Sequence, residues 1–119
     1  AAKNMRKNYV MKAWRLLRGL PETKRSTQVY AAMMDAFGSI GRTAEARGLI
    51  DLSASHSLPP DTMMFNAALR CCQSYEEIKV MQHRMSSAGI KGNRATIRLL
   101  ERARDGADLS RNYGFFRYY

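Results

Sequence analysis

The fold of this 119-residue chain is decided by residues 29–61, VYAAMMDAFGSIGRTAEARGLIDLSASHSLPPD. Apolar residues recur there at three- and four-residue steps, at Val29-Tyr30, Met33-Met34, Phe37 and Ile40. That spacing places them along one face of an amphipathic helix. Gly41 is expected to end the helix, because glycine adopts the left-handed C-terminal cap at little cost. The stretch therefore predicts a helix followed by a tight turn.

The residues that follow predict a second helix, paired with the first. Thr43 is placed to cap it, and its inner face would carry Ala46, Leu49 and Ile50. Leu58-Pro59-Pro60-Asp61 ends this helical hairpin, because two consecutive prolines cannot continue a helix. Asp61 or Thr62 can then cap the next helix.

The pattern repeats further along the chain. Phe65, Ala68-Leu69 and Cys72 form a second first-helix face, Ile78, Met81 and Met85 form a second return face, and Gly89 closes the unit. Helices are also predicted on both sides. Val10, Met11, Trp14 and Leu17 share one face, and a helix over 96–103 directs Ile97 and Leu100 inward and ends at Asp105-Gly106. Such repetition is typical of helical arrays that bury their core by stacking neighbours.

The first unit resembles the pentatricopeptide repeat family. Residues 29–37 are similar to that family's first helix, residues 41–46 to its turn and second helix, and Leu58-Pro59-Pro60-Asp61 to its closing Pro-Asp signature. The unit from Gln28 to Thr62 has 35 residues, the length that family's name implies. The second unit has only 32 residues, lacks the turn glycine near 73–77, and has Gly92 where proline is expected. The tetratricopeptide repeat is the nearest alternative family.

The resemblance implies an all-α fold, a short right-handed α-solenoid of about two helical hairpins. We expect a basic N-terminal helical extension over residues 1–26 and helical repeats over 27–104. The repeats divide into units 28–62 and 63–94 and a partial unit over 95–104, which supplies a partial C-terminal helix. Residues 105–119 would form an extended aromatic and basic C-terminal tail.

Positive charge is concentrated at the two ends of the sequence. The chain carries 20 Lys and Arg against 10 Asp and Glu, a formal net charge of +10. Residues 1–26 hold eight basic groups and one acid, whereas residues 27–94 hold seven basic and six acidic groups. A polyanion would therefore meet the ends first, although a solvated charge run is the alternative. The candidate RNA-binding residues are Lys3, Arg6, Lys7, Lys12, Arg15, Arg18, Lys24, Arg25, Arg94, Arg111 and Arg117.

The C-terminal tail combines aromatic and basic residues. From Leu109 to Tyr119, five of the eleven residues are aromatic, two are arginine and none is acidic. Exposed aromatic surface favours association, and aromatic side chains beside arginine can stack on bases or enter a partner's groove. The predicted partner-docking residues are Tyr113, Phe115, Phe116, Tyr118 and Tyr119. The alternative is that the tail folds back on the chain's own helices.

Base-by-base recognition of RNA by the repeats is not expected. Repeats that recognise bases use two or three side chains for each one, and the resemblance places these at Ala32 with Thr62 and at Ala67 with Arg94. A base edge is read by hydrogen-bonding groups, which alanine lacks. We expect the repeats to form a scaffold that binds proteins or RNA shape.

Neither a catalytic site nor a metal or cofactor site is predicted. His56 and His83 lie in different units, away from any catalytic arrangement of acid and nucleophile. The adjacent Cys71 and Cys72 lack the residues that separate paired zinc ligands. They also cannot form an ordinary disulfide, which suits a reducing compartment. No run of 18 apolar residues occurs, so no membrane span is expected. We expect a binding protein that is not an enzyme and takes no small-molecule substrate.

The resemblance also implies an organelle, because pentatricopeptide proteins are mostly RNA-associated proteins of mitochondria and plastids. We expect the mitochondrial matrix, with the plastid as alternative. The chain begins with Ala1 rather than methionine, which suits removal of a targeting peptide. Neutral repeats with basic ends suit a mitochondrial ribosome subunit that contacts ribosomal RNA, mainly its phosphates, and neighbouring ribosomal proteins. The alternatives are an organellar RNA processing, editing or stability factor and a protein–protein adaptor without RNA contact.

Overall fold

The computed structural model of the chain describes residues 2–105, with the side chains of residues 5–105 except Glu22. The described residues form six α-helices and one short 3-10 helix over Glu22–Lys24, without a strand. The helices are α1 (Ala2–Arg18), α2 (Thr27–Ser39), α3 (Thr43–Ser55), α4 (Thr62–Arg70), α5 (Tyr75–Ser87) and α6 (Arg94–Arg104). The all-helical class predicted from the apolar spacing is confirmed.

Helices α2 and α3 form an antiparallel hairpin. The hydroxyl of Ser26 caps α2 by accepting a hydrogen bond from the Val29 amide at 3.2 Å. At the other end, Gly41 has a φ of +82°, the left-handed conformation predicted for it. The imidazole Nδ1 of His56, directly after α3, lies 2.6 Å from the hydroxyl of Tyr30 in the first turn of α2. The end of α3 therefore lies beside the start of α2.

Helix α4 lies beside α2 and runs in the same direction. Near the N-terminal ends, the hydroxyl of Thr27 donates to the Asp61 carboxylate at 2.6 Å. Asp61, one of the two residues predicted as a cap, is also the N-cap of α4. Two turns further along, the Arg70 guanidinium donates two hydrogen bonds to the Asp35 carboxylate, at 2.9 and 2.8 Å. Because the first contact joins the starts of both helices and the second joins positions further along both, the two helices are parallel.

Helices α3 and α5 are also parallel to each other. Arg47 of α3 donates to Glu77 near the start of α5, at 3.4 Å. One turn later in α3, Asp51 accepts a hydrogen bond from Arg84 of α5, at 2.6 Å. The fold extends 39 × 38 × 20 Å, and its thickness equals about two helix diameters.

Helices α1 and α6 lie at the two ends of this row. Helix α1 packs against α2, where the ring of Trp14 meets Phe37 edge-on with centroids 5.5 Å apart. Helix α6 packs against α4 and α5. Its start is tied to α4 by Asn66, which donates to Asn93 at 3.0 Å and accepts from the Thr96 hydroxyl at 2.5 Å. The end helices therefore cover opposite sides of the central hairpins.

The core runs through all six helices and follows the predicted apolar faces. Its largest fully buried side chains include Tyr30, Phe37, Met34, Ile50, Met64, Leu69 and Ile78. The face predicted for the N-terminal helix is also confirmed, since Val10 and Leu17 are buried while Met11 and Trp14 pack partly buried against the core.

Two local predictions are wrong. Thr43 does not cap α3, because the helix already begins at Thr43 and the N-cap position is held by Arg42, which makes no capping side-chain bond. Ile97 does not point inward: it is 54% exposed, whereas Thr96 and Ala103 are buried and Leu100 is partly buried. The bond from Thr96 to the buried Asn66 fixes the rotation of α6 and turns its neighbour Ile97 outward.

Candidate nucleic-acid interface

The charges of the central hairpins are largely neutralised within the fold. Besides Asp35–Arg70, the central helices contain four ion pairs. Two of them join α3 to α5, and two are local, three residues apart in sequence. The pairs across helices are Arg47–Glu77 and Arg84–Asp51, and the local pairs are Arg42–Glu45 and Lys79–Glu76. The remaining central acid, Asp61, accepts hydrogen bonds from Thr27 and from the Met64 amide. Exposed ion pairs contribute little stability individually. Their effect here is that the central helices present little net charge to a ligand.

Helix α1 presents cations without acidic neighbours on the same helix. Its sequence contains no Asp or Glu. Lys7, Lys12 and Arg15 are exposed, and Arg18 lies over the Trp14 ring at 5.9 Å from its centroid. Cations on an exposed helix face can contact successive phosphates of a nucleic acid backbone. Lys24, in the connection that follows, is also exposed.

Helix α6 presents a second basic face, most of which sequence analysis missed. Arg94, Arg98 and Arg102 are exposed and follow one another at intervals of four residues. That interval places them on one side of the helix, roughly 6 Å apart along its axis. Exposed Lys91 lies three residues before the helix, and Glu101 is the one acid within it. The four-residue spacing of arginines was a signal that could have identified this face beyond Arg94.

The structure assigns Arg25 a different position from the other predicted cations. Its guanidinium donates to the carbonyl oxygens of Leu20 and Arg18, at 3.0 and 3.1 Å, and lies 2.6 Å from His56 Nδ1. These bonds join the end of α1 and the following turn to the end of α3. Arg25 therefore holds the N-terminal helix on the hairpin of α2 and α3, and its guanidinium is already occupied within the fold.

The positions expected to read bases do not form a reading site. Ala67 is fully buried and cannot meet a ligand. Ala32 is exposed but has no hydrogen-bonding side chain, and the Thr62 hydroxyl donates to the carbonyl of Lys91 at 2.9 Å. Only Arg94 is exposed with a charged group. What the described surface offers a nucleic acid is cationic contact with phosphates.

The cysteines lie in the core rather than at a reactive surface. Both are buried, and neither forms a disulfide. Burial raises the pKa of the Cys72 thiol to about 12, against the opposing effect of the Arg47 charge. A thiol that stays protonated at neutral pH is a poor nucleophile and metal ligand. Among residues 5–105, no group of three or more His, Cys, Asp and Glu side chains could hold a metal ion.

Arg6, another predicted RNA-binding residue, lies in α1 and is partly buried. The other predicted site residues lie outside the part of the chain that the structure describes. These are the side chain of Lys3, the tail arginines Arg111 and Arg117, and the tail aromatics Tyr113, Phe115, Phe116, Tyr118 and Tyr119. None of the described helices is both long and apolar enough to cross a membrane.

Comparison of the chain with protein-family models, with curated protein sequences and with solved structures finds no match.

Proposed function

We propose that this protein is a pentatricopeptide-like, non-catalytic RNA- and protein-binding subunit of a mitochondrial ribosome. Its basic end helices would contact the phosphates of ribosomal RNA, and its helical hairpins would pack on neighbouring subunits. The mitochondrial matrix is the compartment that this function requires.

The repeat-like arrangement of the helices supports the family proposal. Helices α2 and α4 are parallel neighbours with starts 35 residues apart, at Thr27 and Thr62. Each is followed by a return helix, α3 or α5, in the other layer. A short right-handed solenoid of two hairpins accounts for this order, with α1 as the second helix of a preceding unit and α6 as the first helix of a following one.

The distribution of unpaired cations is the single observation that carries the RNA proposal. Each of the six acids between residues 27 and 94 pairs with a cation or caps a helix. Among the described residues, the exposed Lys7, Lys12 and Arg15 of α1 and Arg94, Arg98 and Arg102 of α6 form no ion pair with an acid, and Arg104 makes only a weak 3.6 Å pair with Asp105. A long polyanion that spans both ends would release many counterions on binding, which makes the interaction strong and dependent on salt.

Sedimentation of a tagged copy from mitochondrial lysate tests the proposal. The lysate is run with intact ribosomes and again after magnesium removal, which separates the subunits. We expect the protein to migrate with one ribosomal subunit in stoichiometric amount and to remain there in moderate salt.

Two other distributions would contradict the ribosomal proposal. Migration in light fractions, or in a nuclease-sensitive particle distinct from the ribosome, would favour an RNA processing, editing or stability factor. Association with proteins that survives both nuclease and high salt would favour an adaptor without RNA contact.

A further inference from the structure

Helix α1 carries a second apolar face, apart from the one that packs on α2. Met5, Tyr9 and Leu16 lie within roughly 40° of one another around the helix axis, at 100° for each residue. All three are exposed, Leu16 to 66%. Val10 and Leu17, which pack into the core, lie on an adjacent side of the helix. Exposed apolar residues gathered on one helix face indicate a contact surface rather than scattered exposure.

This face continues into an apolar groove between α1 and α2. The groove has a volume of about 360 Å³, and every residue that lines it is apolar. Leu16 and Leu20 form part of one wall, and Val29, Ala32 and Met33 form the other. Part of both walls is open to solvent, since Ala32 is exposed on one wall and Leu16 on the other.

The equivalent residues of α4 show what is missing from this groove. Met64, Ala67 and Ala68 follow Val29, Ala32 and Met33 by 35 residues, and all three are fully buried. The difference is that α4 packs against four helices, α2, α3, α5 and α6, whereas α2 packs against three, α1, α3 and α4. The groove therefore lies where a further helix would contact both α1 and α2.

We propose that this groove binds an amphipathic α-helix of a neighbouring protein, with acidic residues along one flank of its apolar face. Lys12 lies at the edge of the exposed apolar face of α1, and Arg15 lies about 60° further round the helix, at 100° for each residue. Lys7, on the opposite side of α1 from Leu16, remains available to phosphates, and α1 itself has no acid. A cationic flank beside an apolar groove favours a helix of opposite charge. The stretch from Met5 to Leu20 is long enough for about four turns of such a helix.

Charge also argues against a second copy of this chain as the occupant. A copy would offer its own end helices as the free elements, and both are cationic: α1 has no acid and α6 has Glu101 alone. Placing either beside Lys12 and Arg15 would bring like charges together, which is unfavourable.

A helical-peptide library tests this inference, which rests on the protein-contacting part of the proposed function. The peptides share an alanine-rich helical frame, vary in the size of one apolar face, and carry Glu, Gln or Lys on its flanks. The purified full chain selects binders in the absence of RNA, so the result is independent of sedimentation with the ribosome. Anisotropy of labelled selected peptides then gives their affinities.

We expect selection of peptides with a large apolar face and Glu flanks, which bind about tenfold more tightly than their Lys-flanked counterparts. Leu16→Glu should weaken binding by about tenfold or more. Lys12→Glu combined with Arg15→Glu should reverse the flank preference. The matched control is Val80→Glu on α5, since Val80 is 61% exposed but lies outside the groove, and this variant should bind as the wild type does.

Several outcomes would overturn the inference. One is an absence of selected binders, and another is binding that Leu16→Glu leaves unchanged. Dimerisation of the free chain that Leu16→Glu abolishes would make a second copy the occupant. Cross-linking from position 16 to residues 106–119 of the same chain would make the C-terminal tail the occupant.

Discussion

The central helices α2–α5 and the end helices α1 and α6 use charge in opposite ways. In the centre, cations are matched to acids within and across helices, and the Arg70–Asp35 contact with its two hydrogen bonds joins one hairpin to the next. At the ends, cations stand on exposed faces with few acids near them. The same residue type therefore joins the helical hairpins in the centre and stands exposed at the ends.

The largest effect should come from the buried centre. Phe37→Ala should lower the free energy of unfolding by about 4 kcal/mol, because it removes a fully buried ring and leaves a cavity beside Trp14. Chemical denaturation of the full chain measures this. Leu16→Ala on the exposed face of α1 is the control and should change stability by about 0.5 kcal/mol or less. Equal losses would mean that the two regions do not differ in packing.

A smaller effect separates the end cations from the central ones. Arg98→Gln combined with Arg102→Gln should weaken binding to a double-stranded RNA oligonucleotide about tenfold and lower its salt slope by about 2. Fluorescence anisotropy over a range of salt concentrations measures both. Arg84→Gln, which removes a cation paired with Asp51, should leave the slope unchanged. A similar loss for Arg84→Gln would remove the distinction between paired and unpaired cations.

The buried thiol of Cys72 should make the centre sensitive to alkaline pH. Burial raises the pKa of Cys72 in the folded state from 9.0 to about 12. Below pH 9 the thiol is protonated in both the folded and the unfolded chain, so it does not lower the free energy of unfolding there. Above that, the unfolded chain loses the proton first, and stability should fall by about 1 kcal/mol between pH 9 and 10. Chemical denaturation of the wild type and of Cys72→Ala at pH 9 and pH 10 separates the loss of stability that Cys72 causes from the loss that other groups cause. A parallel loss in the variant would assign the pH dependence to other groups.

The smallest effect compares two ion pairs within the centre. A double-mutant cycle on Asp35 and Arg70 should give a coupling free energy of about 1 kcal/mol, because the contact has two hydrogen bonds and is partly shielded from solvent. The Glu76–Lys79 pair within α5 is more exposed, and its coupling should be about 0.3 kcal/mol. Thermal or chemical denaturation of the two sets of variants measures both coupling free energies. Equal values would mean that the pair between the hairpins stabilises the fold no more than the local pair within α5.

Helix positions and the apolar faces of α1–α5 were predictable because they depend on residues close in sequence. The turn glycine Gly41 and the cap Asp61 act on their own helix ends, and the structure has both where the sequence placed them. The predicted cap of α3, Thr43, was wrong by one residue, because the N-cap is Arg42. Differences of one or two residues are usual at helix ends. The exposed basic face of α6 could also have been predicted, since it depends on arginines spaced four residues apart.

Some properties of the candidate site could not be predicted from local patterns. Arg25 looked like any other cation of the basic N-terminal segment, yet His56, 31 residues away, helps to occupy its guanidinium. Ile97 looked like a core residue, yet the bond between Thr96 and Asn66, 30 residues away, turns it toward solvent. In both cases the deciding partner lies on another helix.

The sequence by itself therefore determined an all-helical chain, the ends of most helices and the excess of cations near its termini, because periodicity, capping and composition act over a few residues. Only the tertiary structure decided which cations remain exposed, and that Ala67 is buried while Ala32 borders an apolar groove between α1 and α2. These properties depend on how helices far apart in sequence pack together, and side-chain burial and ion pairing are settled by that packing.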